Sequence, residues 1–198
     1  MVGSRKETTQ FLGKLLVKDR FSGFSKYWAS EVSIDPWTTK GKRVDFMQFI
    51  PPTQCCLSDI EKGIFVCYEV KSCREDIYSG NGLNFLGEKN YIVTTMQCYK
   101  DVLIPDMRSG KFWKHLKDIA PESSDYVGVM VAVPYMWDVN REFEKPTPLN
   151  DDIAWELKVV MPCRVGPRRR SITELLFCML RSGKCGKESG KPSEKESE

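Results

Sequence analysis

The pattern of hydrophobic and polar positions predicts a chain of mixed α and β elements. Residues 7–19 carry apolar side chains at helical spacing with lysines between them, which indicates an amphipathic helix. Strands are expected at 27–34, 43–50, 63–70, 91–95, 126–133 and 154–160. Further helices are expected from residue 73, with an interruption at 80–82 and a continuation over 83–89, and also at 97–103, 112–119 and after Ser171. Ser72 and Ser171 each begin a match to the helix capping box.

The order of these elements predicts how the sheet is connected. Three consecutive strands favour an antiparallel meander, and the helix between the third and fourth strands favours a crossover to a parallel neighbour. The expected class is therefore α/β, with a mixed central sheet flanked by helices in a single domain over 1–181. Residues 182–198 consist of Gly, Ser, Lys, Glu, Pro and one Cys, so we expect a disordered polar tail.

Composition narrows the classes of function. The 198 residues include 30 Lys and Arg against 27 Asp and Glu, a net charge of +3, so a nucleic-acid partner must be argued from local patches. Eight cysteines without a Cys-x-x-Cys pair and a single histidine argue against structural zinc and against Ser-His or Cys-His catalysis. The longest apolar stretch, 127–137, is shorter than the roughly 20 residues that span a bilayer. With no signal-peptide pattern at the polar N-terminus, we expect a cytoplasmic protein without a membrane partner.

One group of charged residues falls where a sheet core is expected. Glu69 and Lys71 end the third strand and point to the same face, because side chains alternate along a strand. Charges in so apolar a strand are unfavourable unless they are paired or bind a ligand. A hairpin of the second and third strands would bring Asp45 to Glu69, and a divalent cation would relieve the repulsion between the two carboxylates. Mg²⁺ favours one or two carboxylates together with waters and phosphate oxygens.

This arrangement of a helix, an Asp, a Glu-x-Lys on the next strand, and then a helix and a strand resembles the PD-(D/E)XK nuclease superfamily. Three segments carry a closer resemblance, RVDFMQF at 43–49, CYEVKSCRED at 67–76 and GLNFLGEKNY at 82–91. They resemble small phage and prophage proteins of Gram-positive bacteria that are related to the MmcB-like DNA-repair group. The resemblance covers about residues 5–181, and departs from the superfamily pattern at Val44, where proline is usual.

The resemblance implies a restriction-endonuclease-like core and metal-dependent hydrolysis of DNA phosphodiester bonds. Asp45 and Glu69 would hold Mg²⁺, for which Mn²⁺ could substitute, with the carbonyl of Val70 as a further ligand. Lys71 would position the attacking water and offset phosphate charge. The alternatives are a catalytically silent nuclease fold that binds nucleic acid or a protein, and an interaction factor with no nucleic-acid role. A homodimer also stays open.

Several other residues are secondary candidates. The additional site residues are Glu31, Asp76, Asn84 and Lys89, and the candidate nucleic-acid contacts are Lys42, Arg43, Arg168, Arg169 and Arg170, with Lys40 and Arg164 nearby. Each has an ordinary alternative as a solvated surface residue. Glu7 could supply a third acid, but an acid at a helix N-terminus is already favourable, which is the role we expect for it. The five tryptophans, Trp28, Trp37, Trp113, Trp137 and Trp155, are expected in the core or at its rim rather than as base-stacking platforms.

A second Glu-x-Lys, Glu156 to Lys158, tests how specific the motif is. It also falls in a predicted strand, but no helix and strand follow it before Pro162. A motif is informative only in its structural context, so we do not expect this copy to be catalytic. The competing interpretation of Asp45, Glu69 and Lys71 is an ordinary cross-strand ion pair.

Overall fold

Six strands form one mixed sheet in residues 3–23, 26–39, 41–53, 57–80 and 82–182, which a computed structural model describes. In order across the sheet they are β1 (Tyr27–Ile34), β2 (Lys42–Ile50), β3 (Ile64–Val70), β4 (Lys89–Thr95), β5 (Val127–Pro134) and β6 (Trp155–Met161). The first three strands are an antiparallel meander, β4 is parallel to β3, β5 is parallel to β4, and β6 is antiparallel to β5. The predicted mixed sheet and its crossover are confirmed.

Helices lie before, between and after the strands. They are α1 (Arg5–Leu16), α2 (Arg74–Ile77), α3 (Met96–Cys98), α4 (Ile104–Arg108), α5 (Lys111–Ile119), α6 (Val139–Glu144) and α7 (Ile172–Ser182). A π-helical turn extends α1 over Val17–Phe21, another joins α3 to α4 over Tyr99–Leu103, and a 3₁₀ turn covers Leu57–Lys62. The predicted tail lies outside the described residues except for Ser182, and Lys40 lies outside them as well.

The two faces of the sheet are covered by different helices. Leu12 and Leu16 of α1 are fully buried against one face, which includes Tyr68 of β3. The opposite face packs on α7 beside β1 and β2, and on α3 to α5 beside β4 and β5. Burying one such leucine contributes about 1.5–3 kcal/mol to stability. Because α1 packs on one face and α7 on the other, β3 lies between two apolar layers. Every described side chain of β3 from Phe65 to Val70 is buried, as its continuous apolar pattern predicts.

Some helix predictions are wrong, and the structure shows why. The predicted helix over 83–89 is an irregular, non-helical segment that leads into β4, with a positive φ of +56° at Leu83. The chain must return along β3 there, so closely that a Cβ at Gly87 would lie 2.6 Å from the Phe65 carbonyl oxygen. The capping box at Ser72 is also wrong, because α2 begins one residue later and the Ser72 amide and hydroxyl donate to Asp76. The capping interaction at Ser171 is confirmed by a 3.1 Å hydrogen bond from the amide of Glu174.

Candidate metal centre and active site

Asp45 lies where β2 separates from β3. The ladder between the two strands ends at Phe46 and Tyr68, one position before Asp45 would stand opposite Glu69. The Asp45 carboxylate replaces the missing backbone partner and accepts a 2.9 Å hydrogen bond from the amide of Val70. The amide and carbonyl of one strand residue point to the same edge, so the Val70 carbonyl faces the same side as Asp45. Burial raises the pKa of the Asp45 carboxyl, while the Val70 hydrogen bond and Lys71 oppose that rise.

Glu69 is the most deeply buried acid of this group, with no exposed surface. One carboxylate oxygen, Oε1, accepts a 3.2 Å hydrogen bond from the amide of Asn84. The other, Oε2, is buried without a hydrogen-bond partner among the described residues. Burial, reinforced by the nearby Asp45 carboxylate, raises the pKa of Glu69 to about 8. A buried oxygen without a hydrogen bond lowers the stability of the fold by roughly 1–3 kcal/mol. A ligand that accepts a lone pair from Oε2 would remove this cost.

Lys71 places a cation beside that oxygen. Its backbone is fixed to β4, because its amide donates to the Val93 carbonyl at 2.9 Å and its carbonyl accepts from the Thr94 hydroxyl at 2.6 Å. The Lys71 Nζ lies 3.7 Å from Glu69 Oε2, and both side chains are almost fully buried. That separation is longer than a hydrogen bond. The ion pair with Lys71 lowers the pKa of Glu69, but burial raises this pKa by more.

The backbone at Gly82 covers the side chains of Glu69 and Lys71, a role that was not predicted from the sequence. Its φ of +91° is a left-handed conformation that favours glycine. A Cβ at this position would overlap Lys71 Nζ and lie 2.9 Å from Glu69 Oε2. The available signal was the Gly80–Gly82 segment, which we interpreted as a helix interruption. Its function in the structure is to let the backbone pass directly over the two charged side chains.

An open pocket of about 730 Å³ lies in front of these residues. Asp45, Val70 and Lys71 line its floor, and the predicted residues Lys42, Arg43, Asp76 and Asn84 also line it. Asp76 is held by a 2.6 Å ion pair with Arg5 of α1. Arg5 is a pocket residue that sequence reasoning did not single out, because 71 positions separate it from its partner. The Asn84 side chain donates to the Arg43 carbonyl at 2.8 Å and ties the covering segment to β2.

Glu31 and Lys89 lie away from the pocket. Glu31 has a positive φ of +55° at an irregularity in β1, and its carboxylate forms an exposed 2.9 Å ion pair with Arg43. Lys89 pairs in register with Val66, at the opposite end of β3 from Lys71. Neither side chain is brought to Asp45 and Glu69, although Glu31 contacts an arginine of the pocket rim.

The three consecutive arginines are held by ion pairs within the chain. Arg168 binds Glu88 at 2.6 Å and also donates to the carbonyls of Glu61 and Gly63, at the far end of β3. Arg169 contacts Glu122 and Ser123. Arg170 pairs at 2.6 Å with Asp35 and at 2.5 Å with Glu174. Arg168 therefore stabilises the fold at the end of the sheet remote from the pocket.

The remaining acidic candidates have ordinary surface roles. Glu156 and Lys158 form a 3.0 Å ion pair on the edge strand β6, where both side chains are partly exposed. The same two residue types at the same spacing are thus buried together in β3 and solvated in β6. Glu7 accepts hydrogen bonds from the amides of Gly3 and Ser4 in a capping box, which agrees with the role expected for it.

These residues fit a divalent cation that also binds water or substrate better than they fit a structural metal ion whose ligands are all protein side chains. Asp45 and Glu69 supply two carboxylates, one of them with an orphaned buried oxygen, and Val70 supplies a carbonyl on the same side. Hard oxygen ligands of this kind, with room for waters, suit Mg²⁺. Among the described residues, no group of three or more His, Cys, Asp or Glu side chains could hold a metal, so the pocket would have to leave positions to water or substrate.

No family model, curated protein or solved structure matches this chain. The family resemblance of the three sequence segments therefore stays a prediction. In the part of the chain that the structure describes, no helix is both long enough and apolar enough to cross a membrane.

Proposed function

We propose that this chain is a metal-dependent nuclease with a restriction-endonuclease-like core, which hydrolyses DNA phosphodiester bonds in the manner of the PD-(D/E)XK superfamily. The observation that carries the proposal is the unsatisfied Oε2 of Glu69, buried beside Asp45 and 3.7 Å from Lys71 Nζ. An ordinary structural ion pair would satisfy both carboxylate oxygens. Two repelling carboxylates, one lining an open pocket and the other buried with an orphaned oxygen, instead favour a site that gains a cation.

Each residue has a distinct role in this proposal. Asp45, Glu69 and the Val70 carbonyl hold the cation, which when bound would polarise the scissile phosphate and acidify a coordinated water. Lys71 donates to the attacking water or to a phosphate oxygen, because its ammonium group lies at the pocket floor. Lys42 and Arg43 on the rim contact phosphates on either side of the reacting one. The Val70 amide fixes the orientation of Asp45.

The activity is tested with purified protein, supercoiled plasmid and labelled oligonucleotides, in Mg²⁺, in Mn²⁺ and in EDTA. We expect cleavage that requires the metal and falls by about 100-fold or more in Lys71→Ala, the range for loss of one electrostatic group at a reacting centre. Lys158→Ala removes the lysine of the solvated Glu-x-Lys and is the matched control, with activity unchanged. Cleavage that persists in EDTA or in Lys71→Ala would refute the proposed site.

One observation favours the alternative of a nucleic-acid-binding protein that does not cut. Glu69 has no exposed surface, and the segment from Gly82 to Asn84 covers it. If that segment never opens, the basic rim could still bind phosphates while the buried carboxylate stays protonated. This alternative predicts salt-dependent DNA binding that EDTA does not change, with no cleavage in either metal.

A further inference from the structure

Trp37 is fully exposed to solvent at the tip of the hairpin between β1 and β2. The expectation that all five tryptophans belong to the core or its rim is wrong at this position. Trp155 is buried, and Trp28, Trp113 and Trp137 pack against the core clusters. A tryptophan left in water forgoes the stabilisation of a large apolar side chain, so Trp37 contributes nothing to packing within this chain.

The hairpin holds this ring outward through a defined backbone. The Thr38 hydroxyl donates to the Asp35 carbonyl at 2.8 Å, and the Gly41 amide donates to the Thr38 carbonyl at 3.1 Å. The Asp35 side chain is fastened to Arg170 by the 2.6 Å ion pair. Within this turn Trp37 has a φ of +72°, which costs of order 1–3 kcal/mol for a non-glycine residue. The turn is therefore strained at the residue whose side chain it exposes.

The two arms of the hairpin that carries Trp37 line two neighbouring hollows, Gly41 and Lys42 the pocket beside Asp45 and Asp35 and Lys42 a second one. Lys42, at the base of the hairpin, lines both that pocket and a second hollow of about 520 Å³. Arg169 and Arg170 line the second hollow together with Glu122 and Asp35, the acids with which they form ion pairs. Both hollows share Lys42, at the base of the hairpin whose turn carries Trp37. An exposed aromatic ring on a hairpin with a cation at its base is complementary to a polynucleotide, whose bases stack while its phosphates are neutralised.

We propose that Trp37 is a stacking platform for an unpaired base, so that the substrate of this site is single-stranded or locally unpaired DNA whose backbone follows the groove over Lys42. The inference rests on the proposed function in taking a polynucleotide as the occupant of the pocket. Bases in an intact duplex are already stacked on their neighbours, and an exposed indole gains little from them. An unpaired base offers its whole ring face.

The test measures binding in EDTA, where the proposed hydrolysis is absent. A labelled single-stranded oligonucleotide and the duplex of the same sequence are titrated against wild-type protein, Trp37→Ala and Trp37→Phe. We expect Trp37→Ala to weaken single-strand binding by about 5- to 150-fold, the range for one stacked base, and Trp37→Phe to restore most of the loss. Phe177→Ala removes another exposed aromatic, on α7, and should leave affinity unchanged. Because both side chains are exposed, equal thermal melting of the three variants is expected.

A set of oligonucleotides with one abasic position, moved along the strand, identifies the contact itself. We expect one position at which the abasic site weakens wild-type binding and Trp37→Ala weakens it no further. Equal affinity of wild type and Trp37→Ala for the single strand would overturn the inference, as would a loss confined to the duplex. A drop in self-association on sedimentation with unchanged DNA affinity would also overturn it and make Trp37 a protein contact.

The outcome is separable from that of the nuclease assay. Metal-dependent cleavage with unchanged binding in Trp37→Ala would support the proposed function and refute the stacking role of Trp37. Loss of single-strand binding in Trp37→Ala, with no cleavage by the wild-type protein in either metal, would support the stacking role of Trp37 and refute the proposed hydrolysis.

Discussion

Replacing Glu69 by glutamine should stabilise the metal-free protein at alkaline pH. Glu69→Gln keeps the shape of the side chain but removes its charge from a site with no exposed surface. The ordinary glutamate pKa of 4.5 rises to about 8 in the folded protein, mainly through burial and then through Asp45. Between pH 4.5 and about 8, Glu69 is therefore mostly protonated in the folded protein and mostly ionised in the unfolded chain.

The sign and size of the effect follow from that difference. A carboxyl whose pKa is raised on folding contributes its full stability below pH 4.5 and loses it as the pH rises through about 8. At 1.36 kcal/mol per pH unit, the shift of Glu69 corresponds to about 5 kcal/mol. Burial raises the pKa of Asp45 in the same direction. Metal-free wild-type protein should thus lose several kcal/mol of unfolding free energy between about pH 5 and pH 8, and Glu69→Gln should lose much less.

Urea unfolding in EDTA at a series of pH values measures this directly. We expect nearly equal midpoints for wild type and Glu69→Gln at pH 5, with Glu69→Gln clearly the more stable at pH 8. Glu156→Gln, at the solvated Glu-x-Lys, should follow the wild-type curve to within about 1 kcal/mol. Saturating Mg²⁺ should restore wild-type stability at pH 8 and leave Glu69→Gln unchanged, because only the ionised acid binds the cation. A stability difference between wild type and Glu69→Gln that is the same at pH 5 and pH 8 would show that the pKa of Glu69 is not raised on folding.

Two further predictions concern the backbone over the site and the remote arginine. Gly82→Ala should lower the unfolding free energy by about 1–3 kcal/mol in urea titrations and abolish cleavage, because its φ of +91° is strained for alanine and the new Cβ collides with the site. Gly80→Ala, at φ +74° with nothing within 4 Å of the new Cβ, carries only the strain and should keep its activity. Arg168→Ala should destabilise the protein by about 3 kcal/mol, because the buried Glu88 carboxylate would lose its ion-pair partner and keep only the hydrogen bond from the Phe65 amide. Its DNA affinity and salt dependence should match wild type, and a reduced salt slope would show instead that Arg168 contacts phosphate.

The strands and the meeting of Asp45 with Glu69 could be predicted because they depend on local pattern. Alternation fixes which face Glu69 and Lys71 share, and the antiparallel pairing of β2 with β3 then brings Asp45 towards Glu69. The exact support of Asp45 by the Val70 amide could not be predicted, because it depends on where the two strands separate.

Features that depend on distant partners or unusual backbone were missed. Arg168 meets Glu88 across 80 positions, and no local pattern distinguishes such an arginine from one that binds phosphate. The helix expected over 83–89 is absent because tertiary packing overrode local propensity, with Leu83 and Phe85 buried from an irregular segment. Trp37 is expected in the core or at its rim because its hydrophobicity is visible in the sequence, whereas the left-handed turn that exposes it is not.

The most direct test of the proposed metal centre is anomalous diffraction from crystals of the full chain soaked in Mn²⁺. We expect one strong peak in the pocket, about 2.1 Å from a carboxylate oxygen of Asp45 and from Oε2 of Glu69, with the Val70 carbonyl as a further ligand. In Glu69→Gln crystals treated in the same way, that peak should disappear. An Mn²⁺ peak that touches only one of the two acids, or one that survives in Glu69→Gln, would contradict the claim that this buried pair is a metal centre.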